Sequence, residues 1–494
     1  MHTGGVYQYW GDCKKLLSLT KNYHFQDLRF LLSGGIIYQR IDQQYNFEAN
    51  QHERELKMAE TLAIFGGTPA VDVSKVVNWP PIDEIDEKMV LDALHQPNQA
   101  RGVHNIAFEK EFAAWNGNEY ALFTNSGTAA LHMCLVGCGV GAGDHVLVTA
   151  YTWSSSATCI LHHDAIPIFV DIDPDTFLMD PDKIEAAITP RTKAIIVVQL
   201  HGLCNDMDKI NAIAKKHNLK VIEDACQAHG AMYKGRKAGT LGDCAAFSFN
   251  QNKCLCCGEG GMFVTNDEKI YQGAAKLWSF GETSRPEQSR DYHAYALGWM
   301  YRNNEITAAY GRAQLSKYDY YFKTLRENGE YLLKNLAGTP NLILPYEPEW
   351  ATHNWYNFNL RIDFANMGIT DPDRQMRFRD AVAACLRDEG LRASVWQRFI
   401  LPDMTVFKAK NAYGGGYPWS IPGADEGVDY SLDKFPNALE YSRKHISVVQ
   451  TLRAPNGLDI AEQAVQGIKK VFNNFDRIDP DKVFAILEER QNRK

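Results

Sequence analysis

The chain has 494 residues, a formal net charge of −8, and apolar and charged shares of 45% and 23%. This length predicts two to four domains, and the composition is typical of a globular protein with a sizeable core. The acidic balance argues against a nucleic-acid or anionic-membrane partner. No apolar run reaches membrane-spanning length. Eleven cysteines in a long chain without a recognisable secretory leader predict reduced thiols and a cytoplasmic location.

The first 57 residues differ from the rest of the chain. They are rich in Gln, Tyr and charged residues, and their apolar stretch at 28–37 is interrupted by Ser33, Gly34 and Gly35. This segment contains no clear motif. We predict that residues 1–57 form an N-terminal extension, for which poor order is one interpretation, and that Met58 opens the first domain.

From residue 120 onward, short apolar segments alternate with helical patterns. The predicted strands lie at 120–124, 145–150, 166–171, 194–200, 220–224, 245–249 and 262–265. The predicted helices lie at 129–140, 155–162, 181–188 and 207–217. Strands rich in Val and Ile that are separated by helices indicate βαβ units and a mainly parallel sheet.

A long helical pattern at 305–336 has the length needed to leave this sheet and reach a second domain. Strand patterns at 355–362 and 446–452 follow, with helical patterns at 373–389 and 460–474 and a final surface helix within 476–494. We therefore predict a large α/β domain at 58–318 and a smaller α+β domain at 319–494.

Polar and aromatic residues follow several of the predicted strands. Trp153, His201 and Asp224 each come directly after or at the end of a strand, and Gln227 follows Asp224 closely. Ligands of such sheets gather at the carboxyl ends of the strands. A further strand leads through Ser126, Gly127 and Thr128 into a helix, where free N–H groups could hold a phosphate. Helix capping explains the same hydroxyl residues equally well.

Lys253 lies on a short connection between two predicted buried strands, beside Gly258, Gly260 and Gly261, which allow tight turns. A lysine held there would be partly desolvated, and we expect its pKa to be lowered, as an amine needs for Schiff-base formation. The alternative for this stretch taken alone is a solvated surface lysine.

Together these residues match the needs of pyridoxal 5′-phosphate (PLP). The cofactor takes a lysine, a carboxylate beside its ring nitrogen, an aromatic face and a phosphate cup. Lys253, Asp224 and Trp153 offer the first three in turn. The turn at Gly127 and Thr128, together with Ser248, offers the cup.

Five ordered motifs resemble those of the DegT/DnrJ/EryC1/StrS family of PLP-dependent aminotransferases. They are residues 125–131, residues 223–231, residues 247–249 with Lys253, residues 258–261 and residues 304–315. The resemblance covers roughly residues 60–475. It implies PLP-dependent transferase fold type I, the aspartate-aminotransferase type, and a homodimer with active sites at the subunit interface.

The resemblance also implies a role for each matching residue. Lys253 would bind the cofactor as a Schiff base and carry the proton between substrate and cofactor. Asp224 would bind the ring nitrogen and Gln227 the ring hydroxyl, and Trp153 would stack on the ring. The phosphate would be held by three residues, which are Gly127, Thr128 and Ser248.

The chain departs from the family pattern at three places, one of which is the N-terminal extension at residues 1–57. Met300 occupies the position where the family often has an Asn that reaches the phosphate of the partner subunit; Tyr301, Arg302 or Asn303 could substitute. The loop after the lysine carries three cysteines, Cys254, Cys256 and Cys257. Because no second Cys/His pair lies at a recognisable spacing, we predict buried thiols there and no metal site.

Three other residues have open interpretations. His201 is a candidate substrate ligand, and a hydrogen-bonded structural histidine is an equal alternative. Arg302 is a candidate for binding a substrate carboxylate through a bidentate pair. For Arg398 a surface ion pair is the default.

The family resemblance predicts an aminotransferase that moves an amino group from glutamine or glutamate to a keto-sugar or keto-cyclitol, in natural-product biosynthesis. One alternative is a PLP-dependent dehydration, elimination or synthase reaction on the same fold. Another is a PLP-binding regulatory protein without turnover.

Overall fold

The structure is a computed structural model, and it describes residues 61–283 and 292–493. The predicted extension at 1–57 lies outside the described residues. Residues 62–494 group as one compact unit. None of the helices in the described part of the chain is long and apolar enough to cross a membrane.

A seven-stranded sheet forms the centre of the molecule. Its strands are β1 (Tyr120–Thr124), β2 (His145–Thr149), β3 (Ile166–Val170), β4 (Thr192–Val198), β5 (Lys220–Asp224), β8 (Cys244–Ser248) and β9 (Gly261–Thr265), and they lie in the order β1-β9-β8-β5-β4-β2-β3. The pairs from β8 through β5, β4 and β2 to β3 are parallel, whereas β9 runs antiparallel to both β1 and β8. This arrangement confirms the predicted mainly parallel sheet and the predicted returning strand after Lys253.

Helices precede the first strand and connect the strands that follow. They are α1 (Glu84–His95), α2 (Val103–Asn116), α3 (Gly127–Gly137), α4 (Ser155–Leu161), α5 (Pro181–Ala187), α6 (Met207–His217) and α7 (Glu268–Trp278). Side chains of Asp83, Asp206 and Asp267 accept hydrogen bonds from the first turns of α1, α6 and α7. Such caps satisfy N–H groups that have no intrahelical acceptor.

The predicted helix at 305–336 is interrupted. It consists of α8 (Glu305–Ser316) and α9 (Tyr318–Leu336), and Lys317 lies between them with φ −102° and ψ −4°. The Lys317 ammonium lies 2.5 Å from the Asp86 carboxylate. This ion pair holds the break between α8 and α9 against α1. The hydrophobic periodicity of the sequence cannot reveal such a contact.

The C-terminal half contains a four-stranded antiparallel sheet. Its strands are β10 (Leu342–Ile343), β12 (Phe358–Ile362), β13 (Ala393–Ser394) and β14 (His445–Val448), in the order β10-β12-β14-β13. A small third sheet joins β11 (Ala351–Thr352), β6 (Met232–Tyr233) and β7 (Arg236–Lys237). The helices of this half are α10 (Pro372–Asp388), α11 (Thr405–Lys408), α12 (Pro436–Lys444), α13 (Leu458–Phe472) and α14 (Pro480–Asn492).

Two hydrophobic clusters form the core, and α9 contributes to both. Tyr321 and Leu325 near its start pack in the cluster around the seven-stranded sheet. Leu332 and Leu336 near its end pack in the cluster around the antiparallel sheet. The helix therefore connects the two layers, as expected for a segment that leaves the first sheet. The domain boundary at residue 318 stays a prediction.

Candidate active site

A cavity of about 310 Å³ lies where the carboxyl ends of five strands meet. Because β1, β2, β4, β5 and β8 share one direction, their following residues converge at one edge of the sheet. Among the residues that line the cavity are seven predicted from the sequence: Gly127, Thr128, Trp153, Asp224, Gln227, Ser248 and Lys253. It is also lined by Ser126, Thr152, Ser155, Val198, Cys226, Asn250, Asn252, Glu259, Tyr356 and Trp396.

Asp224 is the last residue of β5 and is almost fully buried. Its Oδ2 accepts a hydrogen bond from the Ser156 hydroxyl at 2.6 Å, and its Oδ1 accepts one from the Cys226 N–H at 3.1 Å. A buried carboxylate is costly without such partners. These bonds leave Asp224 fixed at the cavity wall. The sequence prediction missed Ser156, because its partner lies 68 residues further along the chain.

The amino end of α3 forms the floor of the predicted phosphate cup. Ser126 caps the helix, with its hydroxyl accepting from the Ala129 N–H at 3.1 Å. The N–H groups of the first turn, including those of Gly127 and Thr128, have no acceptor within the helix by geometry. Capping and anion binding, which the sequence left as alternatives, are therefore compatible here.

Gly127 allows the start of α3 to pack closely against two other residues that line the cavity. A Cβ atom at this position would lie 2.8 Å from both Cys226 Sγ and Ser248 Cβ. Real Cβ atoms do not approach that closely, so a larger residue would displace these side chains or the helix start. The shape of the cup therefore depends on a glycine at residue 127.

Lys253 lies on the connection between β8 and β9, and its ammonium is 5.0 Å from the centre of the Tyr356 ring. Burial acts to lower the pKa of Lys253, but the neighbouring Tyr356, Cys226 and Asp224 act to raise it, and the pKa is raised overall. The expectation of a lowered pKa is therefore wrong. Burial and the neighbouring Asp224 could be anticipated from the sequence, whereas Tyr356 could not, because it comes from the C-terminal half of the chain.

Two tryptophans stand at the cavity, and only one of them was predicted. The Trp153 side chain is 52% exposed and lines the cavity. Trp396, from the segment after β13, lies with its ring centre 6.2 Å from that of Trp153. Trp396 and Tyr356 come from the C-terminal half, where no motif marked them in the sequence.

Gln227 and His201 are neighbours, but only Gln227 lines the cavity. The Gln227 Oε1 accepts a hydrogen bond from the His201 N–H at 2.8 Å. The His201 ring is buried, with Nδ1 3.0 Å from Asn357 Nδ2 and Nε2 3.1 Å from the Tyr441 hydroxyl. Both ring nitrogens therefore have protein partners, and the cavity lining does not include His201.

The arginine candidates and Met300 lie outside the cavity lining. The Arg302 guanidinium lies 5.3 Å from the Phe280 ring centre, and the Arg302 backbone bridges to Thr124. Met300 is half exposed. Arg398 forms a surface ion pair with Asp380 at 2.7 Å.

Burial raises the pKa of all three loop cysteines, Cys254, Cys256 and Cys257. Among residues 61–283 and 292–493, no cluster of three or more His, Cys, Asp or Glu side chains is placed to hold a metal ion.

This arrangement fits PLP. An amine, a fixed carboxylate and an aromatic face line one cavity of suitable size, and the N–H groups at the start of α3 can hold a phosphate. With the sheet order described above, it defines the class of PLP-dependent transferases of fold type I.

Comparison with known proteins places the chain within that class. The model of the DegT/DnrJ/EryC1/StrS aminotransferase family matches residues 80–413. The chain belongs to this family and is a PLP-dependent aminotransferase.

Relatives and solved structures support the assignment. The chain is 42% identical over 259 residues to GDP-perosamine synthase of Caulobacter vibrioides, covering 52% of this chain and 68% of that protein. It is 40% identical over 271 residues to the putative L-glutamine:3-amino-2,3-dideoxy-scyllo-inosose aminotransferase of Streptomyces kanamyceticus, covering 53% and 63%. The crystal structure of 3-amino-5-hydroxybenzoic acid synthase superposes with a TM-score of 0.72 at 30% identity, covering 82% of this chain and 100% of that one.

Proposed function

We propose that this protein transfers an amino group from glutamine or glutamate to the keto carbon of a sugar or cyclitol in natural-product biosynthesis. The observation that carries the proposal is the shared cavity, in which the Lys253 amine and the Asp224 carboxylate face one space above the amino end of α3. The names of the two relatives, one of which specifies L-glutamine as donor, support the choice of donor and acceptor.

In this proposal, each of the cavity residues has its own contact with PLP. PLP, when bound, supplies the aldehyde that holds the amino group and a ring that withdraws electrons. Asp224, fixed by Ser156, would accept a hydrogen bond from the protonated ring nitrogen, and Gln227 would contact the ring hydroxyl. Trp153 would cover one face of the ring. The phosphate would be held by Gly127, Thr128 and Ser248 at the helix start.

Lys253 has two tasks in this proposal. Its Nζ would hold the cofactor between turnovers. Its amine would then take a proton from the donor carbon that bears the amino group, and the resulting ammonium would deliver a proton to the acceptor carbon. Positioned acid–base help of this kind typically contributes on the order of hundredfold to ten-thousandfold.

Attachment of the cofactor and removal of the donor proton both require a neutral Lys253 amine, although its pKa is raised. Pairing of Asp224 with a cationic ring would offset one of the charges that raise the pKa.

We also propose that the protein works as a homodimer with its active sites at the subunit interface. An exposed apolar segment supports this proposal, since Leu297, Trp299 and Met300 are 71%, 46% and 52% exposed. The segment lies beside the site, because the Tyr301 carbonyl accepts a hydrogen bond from the Asn125 N–H at 2.9 Å. Light scattering should give the mass of a dimer, and a monomer at micromolar concentration would contradict this proposal.

The test of the reaction compares the wild-type protein with Lys253→Ala. Visible spectra with PLP are recorded before and after addition of glutamine or glutamate. We expect a visible band that requires Lys253 and that is bleached by one of the donors. Absence of any band would contradict the cofactor assignment for this site.

Product analysis then identifies the acceptor. A keto-cyclitol and a nucleotide-linked keto-sugar are supplied with the donor that bleaches the band, and nitrogen incorporation is measured by mass spectrometry. An aminated product supports the proposal. A dehydrated product without nitrogen would instead establish elimination chemistry.

A further inference from the structure

Arg453 is a buried cation without a carboxylate partner. Its side chain is 2% exposed, and it lies in the segment between β14 and α13. In the part of the chain that the structure describes, Arg453 forms no ion pair with an Asp or Glu, and its Nε has no hydrogen-bond partner. Burying an unpaired charge is costly. A cation retained under these conditions needs another source of stabilisation.

Two aromatic rings provide that stabilisation. The Arg453 guanidinium carbon lies 5.2 Å from the centre of the Trp79 ring and 5.3 Å from the centre of the Tyr356 ring. The planar guanidinium group stacks well on aromatic faces, and cation–π attraction grows when the pair is desolvated. Arg453 is therefore tied to two rings from distant parts of the chain.

Both rings and the guanidinium also contact Lys253. The Lys253 carbonyl oxygen accepts a hydrogen bond from Trp79 Nε1 at 3.0 Å and a longer one from Arg453 Nη1 at 3.5 Å. The Lys253 ammonium lies over the Tyr356 ring at 5.0 Å. Arg453 Nη2 reaches the Tyr356 carbonyl at 3.5 Å. Trp79 and Arg453 thus contact the lysine at its backbone, and Tyr356 contacts it at its amine.

We propose that Arg453 is a positioning residue, which with Trp79 and Tyr356 fixes the Lys253 backbone so that its amine stays in the cavity. This inference rests on the role proposed above for Lys253. The lysine belongs to a connection between strands, whereas its contacts lie 174 and 200 residues away in the sequence. Because a catalytic group misplaced by about 1 Å can cost on the order of a hundredfold in rate, fixing this backbone matters for turnover.

The principal variants are Arg453→Met, Arg453→Lys and Trp79→Phe. Methionine fills much of the volume but removes the charge and the donors, whereas lysine keeps a cation that can lie between the two rings. Phenylalanine at 79 keeps a ring and removes the indole N–H that bonds the Lys253 carbonyl. Arg377→Met is the matched control, since Arg377 is exposed and pairs with Asp481 on the surface.

Three quantities are measured on the full-length proteins. The first is the rate at which Lys253 becomes covalently attached to added PLP, trapped with borohydride and located by peptide mass spectrometry. The second is the circular dichroism of the visible band per bound cofactor, which reports how rigidly the lysine is held. The third is the separation of kcat from the donor KM.

For Arg453→Met we expect at least about tenfold slower trapping and a weaker dichroic band, with kcat reduced and KM changed less than about threefold. Arg453→Lys should recover part of the loss, and Arg377→Met should match the wild type. Trp79→Phe should show a smaller loss in the same direction and keeps the proposal testable if Arg453→Met does not fold.

The outcomes separate this inference from the proposed function. If the wild type itself shows no trapping at Lys253, the proposed function fails. In the other case, PLP is trapped on Lys253 of the wild type as expected. The positioning role is then refuted if a folded variant, Arg453→Met or Trp79→Phe, has the same trapping rate, dichroism and kcat as the wild type. A fall in thermal stability without these changes would likewise refute it.

Discussion

Gly127→Ala should weaken cofactor binding without unfolding the protein. The added Cβ would lie 2.8 Å from Cys226 Sγ and from Ser248 Cβ, and 3.3 Å from Ser248 Cα. Ordinary contacts lie at about 3.5–4.0 Å, so each close neighbour or the helix start must move by roughly 0.7 Å or more. Overpacking of this kind costs about 1–3 kcal/mol.

Such a shift would act directly on the phosphate cup. If the cost falls on the bound state, the dissociation constant of PLP rises by roughly fivefold to 150-fold, since about 1.4 kcal/mol corresponds to a tenfold change. Cys226→Ala combined with Gly127→Ala removes the sulfur contact and should recover part of the affinity. The Ser248 contact remains, so recovery should be incomplete.

The assay is a titration with PLP followed by visible absorbance, together with thermal unfolding of the cofactor-free protein. Gly141→Ala is the matched control, because a Cβ there would meet only Asp144 Oδ2 at 3.8 Å. Affinity within twofold of the wild type for Gly127→Ala would refute the assignment of this glycine to the phosphate cup.

Three further predictions concern other parts of the chain. Ser156→Ala removes a hydrogen-bond donor to the buried Asp224 carboxylate and should lower the free energy of unfolding by about 1.5–3 kcal/mol in urea titrations. Ser154→Ala is the control, and equal free energies of unfolding for the two variants would contradict this prediction. Trp153→Ala should weaken PLP binding about tenfold, whereas the affinity of Trp153→Phe should stay within about threefold of the wild type, because the phenyl ring retains a stacking face. Equal losses of affinity for the two variants in PLP titrations would argue against stacking. Burial and the nearby His163 and His162 lower the pKa of His132 to about 3. Below about pH 6.5 the folded state therefore binds fewer protons than the unfolded state, and the free energy of unfolding decreases as the pH is lowered. In urea titrations, His132→Gln should reduce this decrease between pH 7.5 and 5.5 by about 1.3 kcal/mol. An unchanged decrease would refute this prediction.

The amino-acid sequence by itself determined the sheet and much of the cavity wall. The apolar segments predict the strands, and chain direction then places the residues after them at one edge of the sheet. For this reason the strand pattern alone assigns Asp224, Trp153 and Lys253 to one site. Gly127 followed from the same logic, since it opens the helix after β1.

The tertiary structure alone decided how those residues are supported. Ser156, Trp396 and Arg453 carry no local signal, because their importance comes from partners far away in the sequence. Asp224 reaches Ser156 within the first sheet, whereas the partners of Trp396 and Arg453 come from the other half of the chain. The raised pKa of Lys253 has the same origin, since burial lowers it but Tyr356 and Asp224, from other elements, contribute to raising it. Periodicity and strand ends are properties of short segments of sequence. Electrostatic effects on a pKa and side-chain contacts depend instead on the distances between segments, and only the folded chain sets those distances.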